Sequence, residues 1–384
     1  MSLILKGISW DHPRGYQPLR AAAELWKRQT GVIINWDVRT LQEFGDFPVE
    51  KLIGLYDFII IDHPYMAEAA TKNLLIALNK YFPQEFLNTQ EQLSVGPSYK
   101  SYEYGGNMYA LPVDAAAQVA ACRKDIVDKI NWGIPTETAG LKTAASLLPK
   151  GYCIGVPLCP TDIWCVFLSL CAQYSNGNFF SASGVDVAAG QWAIEQIRDW
   201  RSFIHKASFE MNPIQLLSQM ASRDEIIYCP FTFGYTNYSR KKGTAKIVNF
   251  IDVPRFENNN VTSLLGGAGI AVSQKSNHLN ECLDFITYIL TPQIQQTVYF
   301  QNDGQPALLN AWNDEQCNAD SSDFFKNTLF TMQHAYVRPK VPNFNVFQEN
   351  AANLIHELAL NQSAAVKGIV LLNNLFRKLC HEKF

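Results

Sequence analysis

The N-terminal third alternates short apolar runs with stretches of helical spacing. Leu3–Ile8 reads as a buried strand. Pro18–Gln29 follows, with Leu19, Ala22, Ala23 and Trp26 recurring at helical intervals, and Gly31 stands where a helix C-cap is expected. Val32–Trp36 predicts a second strand, Pro48–Gly54 a short helix and Asp57–Ile61 a third strand. Strands alternating with helices predict βαβ units and a parallel sheet. Tyr109–Asp114 predicts an extended segment leaving that layer, because Pro112 biases its predecessor toward β space. Residues 115–255 predict a second α/β layer, with helices over Thr161–Tyr174 and Gln191–His205 and an aromatic-rich stretch over Tyr228–Tyr238. A glycine-rich strand is expected at Leu264–Ser273 and a helix over Leu279–Leu290. From about residue 325 the pattern is helical, broken at Arg338–Pro342.

Length and composition narrow the class. At 384 residues, with 47% apolar and 12% aromatic positions, the chain suits two well-packed domains. Charged residues make up 17% and the net charge is −3, with no basic stripe, so nucleic acid is not an expected partner. No run approaches the roughly 18 apolar residues of a membrane span. No positive segment followed by a long apolar one marks a secretory leader, which places the sequence as given in the cytoplasm. The nine cysteines form no Cys-x-x-Cys pair and no zinc-like spacing with histidine. They read as small core hydrophobes, suited to a reducing compartment.

Candidate chemistry concentrates in two short phrases. Trp10-Asp11-His12-Pro13-Arg14 follows the first strand and Asp62-His63-Pro64 follows the third. Strand carboxyl ends in an open parallel sheet face one crevice, so both turns are expected to look into a ligand site. A helix N-terminus after Asp11 and His12 favours an anionic group, and the Arg14 fork suits a carboxylate. The two Asp-His pairs also permit a metal-site reading, hence a metal-assisted enzyme using Asp11, His12, Asp62 and His63. No Gly-x-Ser-x-Gly elbow, phosphate loop or dinucleotide fingerprint is present, so no cofactor is implied. Trp164, at the start of an apolar helix, is a candidate aromatic wall. Phe231, Phe233, Tyr235 and Tyr238 are spaced to make one strand face aromatic, with Gly234 allowing close backbone approach at Tyr235. Gly267 suits either a tight strand crossing or a backbone amide to the ligand. Tyr336 and Arg338 precede the Pro339/Pro342 segment, Arg338 as a second clamp on an acidic ligand.

Three stretches together resemble the family 1 extracellular solute-binding proteins of ABC transporters, the maltose-binding-like group. They are Tyr109–Asp114, Gly266–Ser273 with Asn277–Leu290 and Gly304-Gln305-Pro306-Ala307, and Val337–Phe347 with the helix after it. The resemblance implies an α/β, two-lobed, type II periplasmic-binding fold with hinge crossovers between the lobes. It implies one lobe from 1–112 plus about 266–304 and another from 113–258 plus about 325–384. It places Asp114 at the floor of a ligand cleft and Gln348 where sugar-binding members carry a stacking aromatic. The expected function is non-enzymatic: a small polar solute, a sugar or a carboxylate-bearing compound, is clamped by hinge closure and delivered to an ABC permease. The expected assembly is a monomer, extracytoplasmic if a leader has been removed. A cytoplasmic ligand sensor or carrier on the same fold is the alternative.

Overall fold

The computed structural model describes residues 3–46, 49–241, 246–257 and 259–380. The chain forms two compact units, one from Met1–Ala116, Gly266–Asn318 and Lys340–Pro342, the other from Ala117–Leu265, Ala319–Pro339 and Asn343–Phe384.

In the first unit, strand β1 (Ile4–Trp10) lies parallel to β2 (Ile33–Arg39) and to β3 (Phe58–Ile61). All four residues of β3 are essentially inaccessible, and each contributes about 1.5–3 kcal/mol by leaving water. The strand Leu265–Val272 pairs antiparallel with β3, so the expected all-parallel sheet is mixed. That strand returns from a remote part of the chain, without the crossover helix that makes neighbouring strands parallel. Helix α1 (Pro13–Thr30) starts five residues before the expected Pro18, because His12 caps it and Pro13 fits its first position. Its C-cap is Gly31, whose N–H donates to Lys27 O at 2.9 Å. β1 and β2 each run past their apolar cores to Trp10 and Arg39, and the short helix α2 (Leu41–Asp46) follows β2. The helix expected over Pro48–Gly54 is a 3-10 turn at Val49–Lys51, with Pro48 outside the described residues.

In the second unit, the later part of the strand Leu111–Cys122 pairs antiparallel with Ile226–Phe233 and with Asn249–Ile251. The apolar helix Pro160–Tyr174 is buried almost throughout and packs against Val187–Trp200 and Phe344–Leu360. Register slips by one residue between Cys229 and Thr232, at Pro230, which has no N–H for the ladder. The strand ends at Phe233, and a 3-10 turn takes Thr236–Ser239. The aromatic run is therefore not one strand face. Phe231 stacks in the core on Trp200, while Tyr238 bonds Ser218 from the turn.

Candidate functional site

The two Asp-His-Pro turns follow neighbouring parallel strands of the first unit. β1 and β3 run parallel as neighbours, Gly7 opposite Phe58 and Ile8 opposite Ile59, so Asp11 and Asp62 each follow the same end of adjacent strands. Asp11 is exposed, with its N–H held by Arg39 O at 2.7 Å. Asp62 caps the turn His63–Tyr65, its Oδ1 accepting from His63 N at 2.8 Å and lying 3.0 Å from His63 Nδ1. His63 is fully buried, edge-on to the Tyr102 ring.

His12 caps α1 through Nδ1, which accepts from Arg14 N at 3.2 Å. That bond assigns the ring proton to Nε2. Burial pulls the His12 pKa down to about 4, aided by the Arg14 charge and opposed by Asp303, so the ring is a neutral donor at pH 7. Arg14 turns inward. Its Nε and Nη2 donate to the two oxygens of Asp114 at 2.8 and 2.5 Å, and both side chains are buried. The Arg14 fork, expected on a ligand carboxylate, is thus filled by the protein's own carboxylate, and Asp114 is occupied in turn. The strand beyond Asp114 is fastened by Ala115 N to Gln305 O at 3.1 Å and by Gln305 Nε2 to Ala115 O at 2.8 Å. Gly267, with φ +100°, would place a Cβ 2.5 Å from Asp114 O, so it serves a tight strand crossing. Trp10 is buried, its ring 5.0 Å from that of Phe44.

The second unit groups a separate set. Arg338 is buried and its Nη1 donates to Gln348 Oε1 at 3.1 Å. The ring of Tyr336 lies 4.9 Å from that of Phe179, and its backbone bridges Ser263 and Leu265. Trp164 is fully buried, stacked on Phe167 and edge-on to Phe347, a core position rather than an open wall. Tyr235 is nearly buried at the end of its strand and Phe233 half-buried. A Cβ on Gly234 would meet Phe324 and Val119, so the close approach there is to core side chains.

Sequence reasoning missed three groups. Asp162, in the first turn of the helix Pro160–Tyr174, is pushed up to about pKa 7 by burial and accepts from Cys159 Sγ at 3.0 Å. Asp303 acts on His12, and its polar turn Gln301-Asn302-Asp303-Gly304 reads in sequence as an ordinary loop. Arg39 was hidden because its strand reads as ending at Trp36, before the polar Asp37. No three His, Cys, Asp or Glu side chains converge as a metal site among the described residues. None of the described helices is long and apolar enough to cross a membrane.

These features agree with comparison to known proteins. The chain resembles in fold a solute-binding protein from Agrobacterium radiobacter solved with ribitol, at 16% identity over 98% of both chains, TM-score 0.81. The acarbose-binding GacH receptor of Streptomyces glaucescens matches at 15% identity over 100% of both chains, TM-score 0.81. Maltose-bound MalE3 of T. maritima matches at 15% identity over 98% of this chain and 100% of that one, TM-score 0.80. All three share the two-lobed architecture the sequence resemblance implied. The profile for bacterial extracellular solute-binding proteins matches residues 11–296, most of the chain, from the first Asp-His-Pro turn through the helix after the glycine-rich strand; the protein belongs to that family.

Proposed function

We propose that this protein captures a polyhydroxylated solute, a sugar or polyol, and delivers it to an ABC permease, acting by binding and not by catalysis. The observation that carries the reading is the Asp11/Asp62 pair at adjacent strand ends, in a chain of this family. Hydroxyls donate to carboxylates in strong, charge-assisted bonds, and the neutral His12 supplies a donor in return. The ligands named for the structural neighbours, ribitol, acarbose and maltose, support a polyhydroxylated class.

The family is extracellular, and we assign this chain to that side of the membrane as a monomer. None of the nine cysteines is in a disulfide, which favours the second reading, a carrier in a reducing compartment. Burial answers that observation. It pushes the thiols of Cys122, Cys153, Cys282 and Cys380 up to about 12, and those of Cys159, Cys171 and Cys229 higher. Thiols held protonated are poor nucleophiles and resist oxidation.

Calorimetric titration with ribitol, maltose and acarbose, on wild type and on Asp11→Asn and Asp62→Asn, tests the proposal. Each loss of a charge-assisted bond should weaken binding by about 10- to 150-fold. Unchanged affinity in both variants would remove the strand-end carboxylates from the site.

A further inference from the structure

Arg39 is a buried cation that no carboxylate pairs directly among the described residues. Two other buried arginines hold carboxylates, Arg14 on Asp114 and Arg123 on Asp125 and Asp224, while Arg338 donates to the Gln348 amide. Arg39 is 7% exposed and makes no ion pair among the described residues. Its Nη2 donates to Ile60 O at 3.1 Å, its Nη1 reaches Glu43 O at 3.4 Å, and its Nε has no acceptor among the described residues. The nearby Glu43 carboxylate is taken by Thr40 N and Oγ1, at 2.8 and 3.0 Å. Burying a cation on carbonyl dipoles alone is costly, and here burial pulls the Arg39 pKa down to about 10.

A second open donor stands beside it. Trp10 is the register partner of Arg39 across β1 and β2, so both side chains leave the same face of the sheet. Trp10 is 5% exposed and its Nε1–H also lacks an acceptor among the described residues. The Phe44 ring connects the two, 5.0 Å from the Trp10 ring and 5.3 Å from the Arg39 guanidinium carbon. Both groups sit at the strand ends that carry Asp11, next to the proposed site.

We propose that Arg39 and Trp10 form a carboxylate receptor, and that the solute is therefore an acidic sugar or polyol such as an aldonate or uronate. This rests on the solute-binding reading above and names its substrate class. One N–H from each side chain meets one carboxylate oxygen, and the guanidinium supplies the charge that selects an acid over the corresponding alcohol. Neither N–H is open to solvent, so the half-buried Phe44 ring turns aside as the acid enters. The hydroxyls at the other end of the solute go to Asp11 and Asp62, which keeps its carboxylate away from theirs.

Titrations with D-gluconate against D-glucitol, and D-galacturonate against D-galactose, test it. The acid of at least one pair should bind wild type at least about tenfold tighter than its neutral counterpart. Arg39→Gln should abolish that preference, and Trp10→Phe, which keeps the ring in place, should reduce it by about tenfold or more. Urea midpoints establish that each variant is folded; if Arg39→Gln is not, Trp10→Phe and Arg39→Lys carry the test. Neutral compounds binding as well as the acids would overturn the receptor and leave the solute-binding reading intact. A preference that survives both Arg39→Gln and Trp10→Phe would overturn the assignment of these residues. Failure of all four compounds, together with ribitol, maltose and acarbose, would overturn both.

Discussion

Replacing Arg14 by alanine separates two roles for this residue, a clamp on the solute and a strut within the first unit. The structure makes it a strut, with both arms on a carboxylate that has no exposed surface. Removing the cation leaves Asp114 charged and unpaired in a dry site, at a cost of about 3–5 kcal/mol. In a folding unit of about 150–250 residues each kcal/mol moves Tm by about 2–4 °C, so the fall should be about 6–20 °C. The double variant Arg14→Met/Asp114→Leu removes both charges and fills the space with apolar side chains. It should recover most of the loss, since apolar replacement of a buried pair is often neutral or stabilising by about 1–4 kcal/mol. Urea denaturation followed by circular dichroism gives both energies. An Arg14→Ala protein with an unchanged midpoint and abolished solute binding would refute the strut and restore the clamp.

Three further outcomes follow from the same geometry. His12 has a folded pKa near 4 against 6.5 for the free group, so its contribution is complete above pH 6.5 and lost as pH falls toward 4. Asp162 has the opposite sign: near 7 when folded against 3.8, it costs more stability as pH rises through that window. Denaturation midpoints from pH 4 to 8 should therefore show His12→Asn gaining on wild type at the acid end and Asp162→Asn gaining at the alkaline end; flat differences would refute the burial of both groups. Gly267→Ala forces a Cβ against Asp114 O at a positive φ and should cost more than about 1 kcal/mol, read by the same midpoints. A thiol reagent should modify at most the two half-buried cysteines, Cys153 and Cys159, in native protein, and all nine after unfolding; rapid native reaction of the rest would contradict their packing.

The fold was legible where one physical signal dominated. The apolar run at β3, the helical spacing of Leu19, Ala22, Ala23 and Trp26, and Gly31 as a cap all reappear in the structure, shifted by a few residues at the ends. Strand direction was not legible for Leu265–Val272, because periodicity carries no information on which way a neighbour runs. Side-chain roles at the two turns were less legible than the strands that precede them. The strands before the two Asp-His-Pro turns are parallel neighbours, yet spacing alone could not show that His63 would turn inward or that Arg14 would meet Asp114 a hundred positions away. Arg39 escaped notice because alternating polar residues end the apolar signal of β2 before the strand itself ends.

Solute binding by the intact chain is the most direct test. Calorimetric titration over a panel of sugars, polyols and their acids should reveal saturable binding at one solute per chain, weakened by Asp11→Asn and Asp62→Asn while the urea midpoints stay near wild type. A folded protein that binds no member of the panel, or binds one with equal strength in wild type and both variants, would contradict the account.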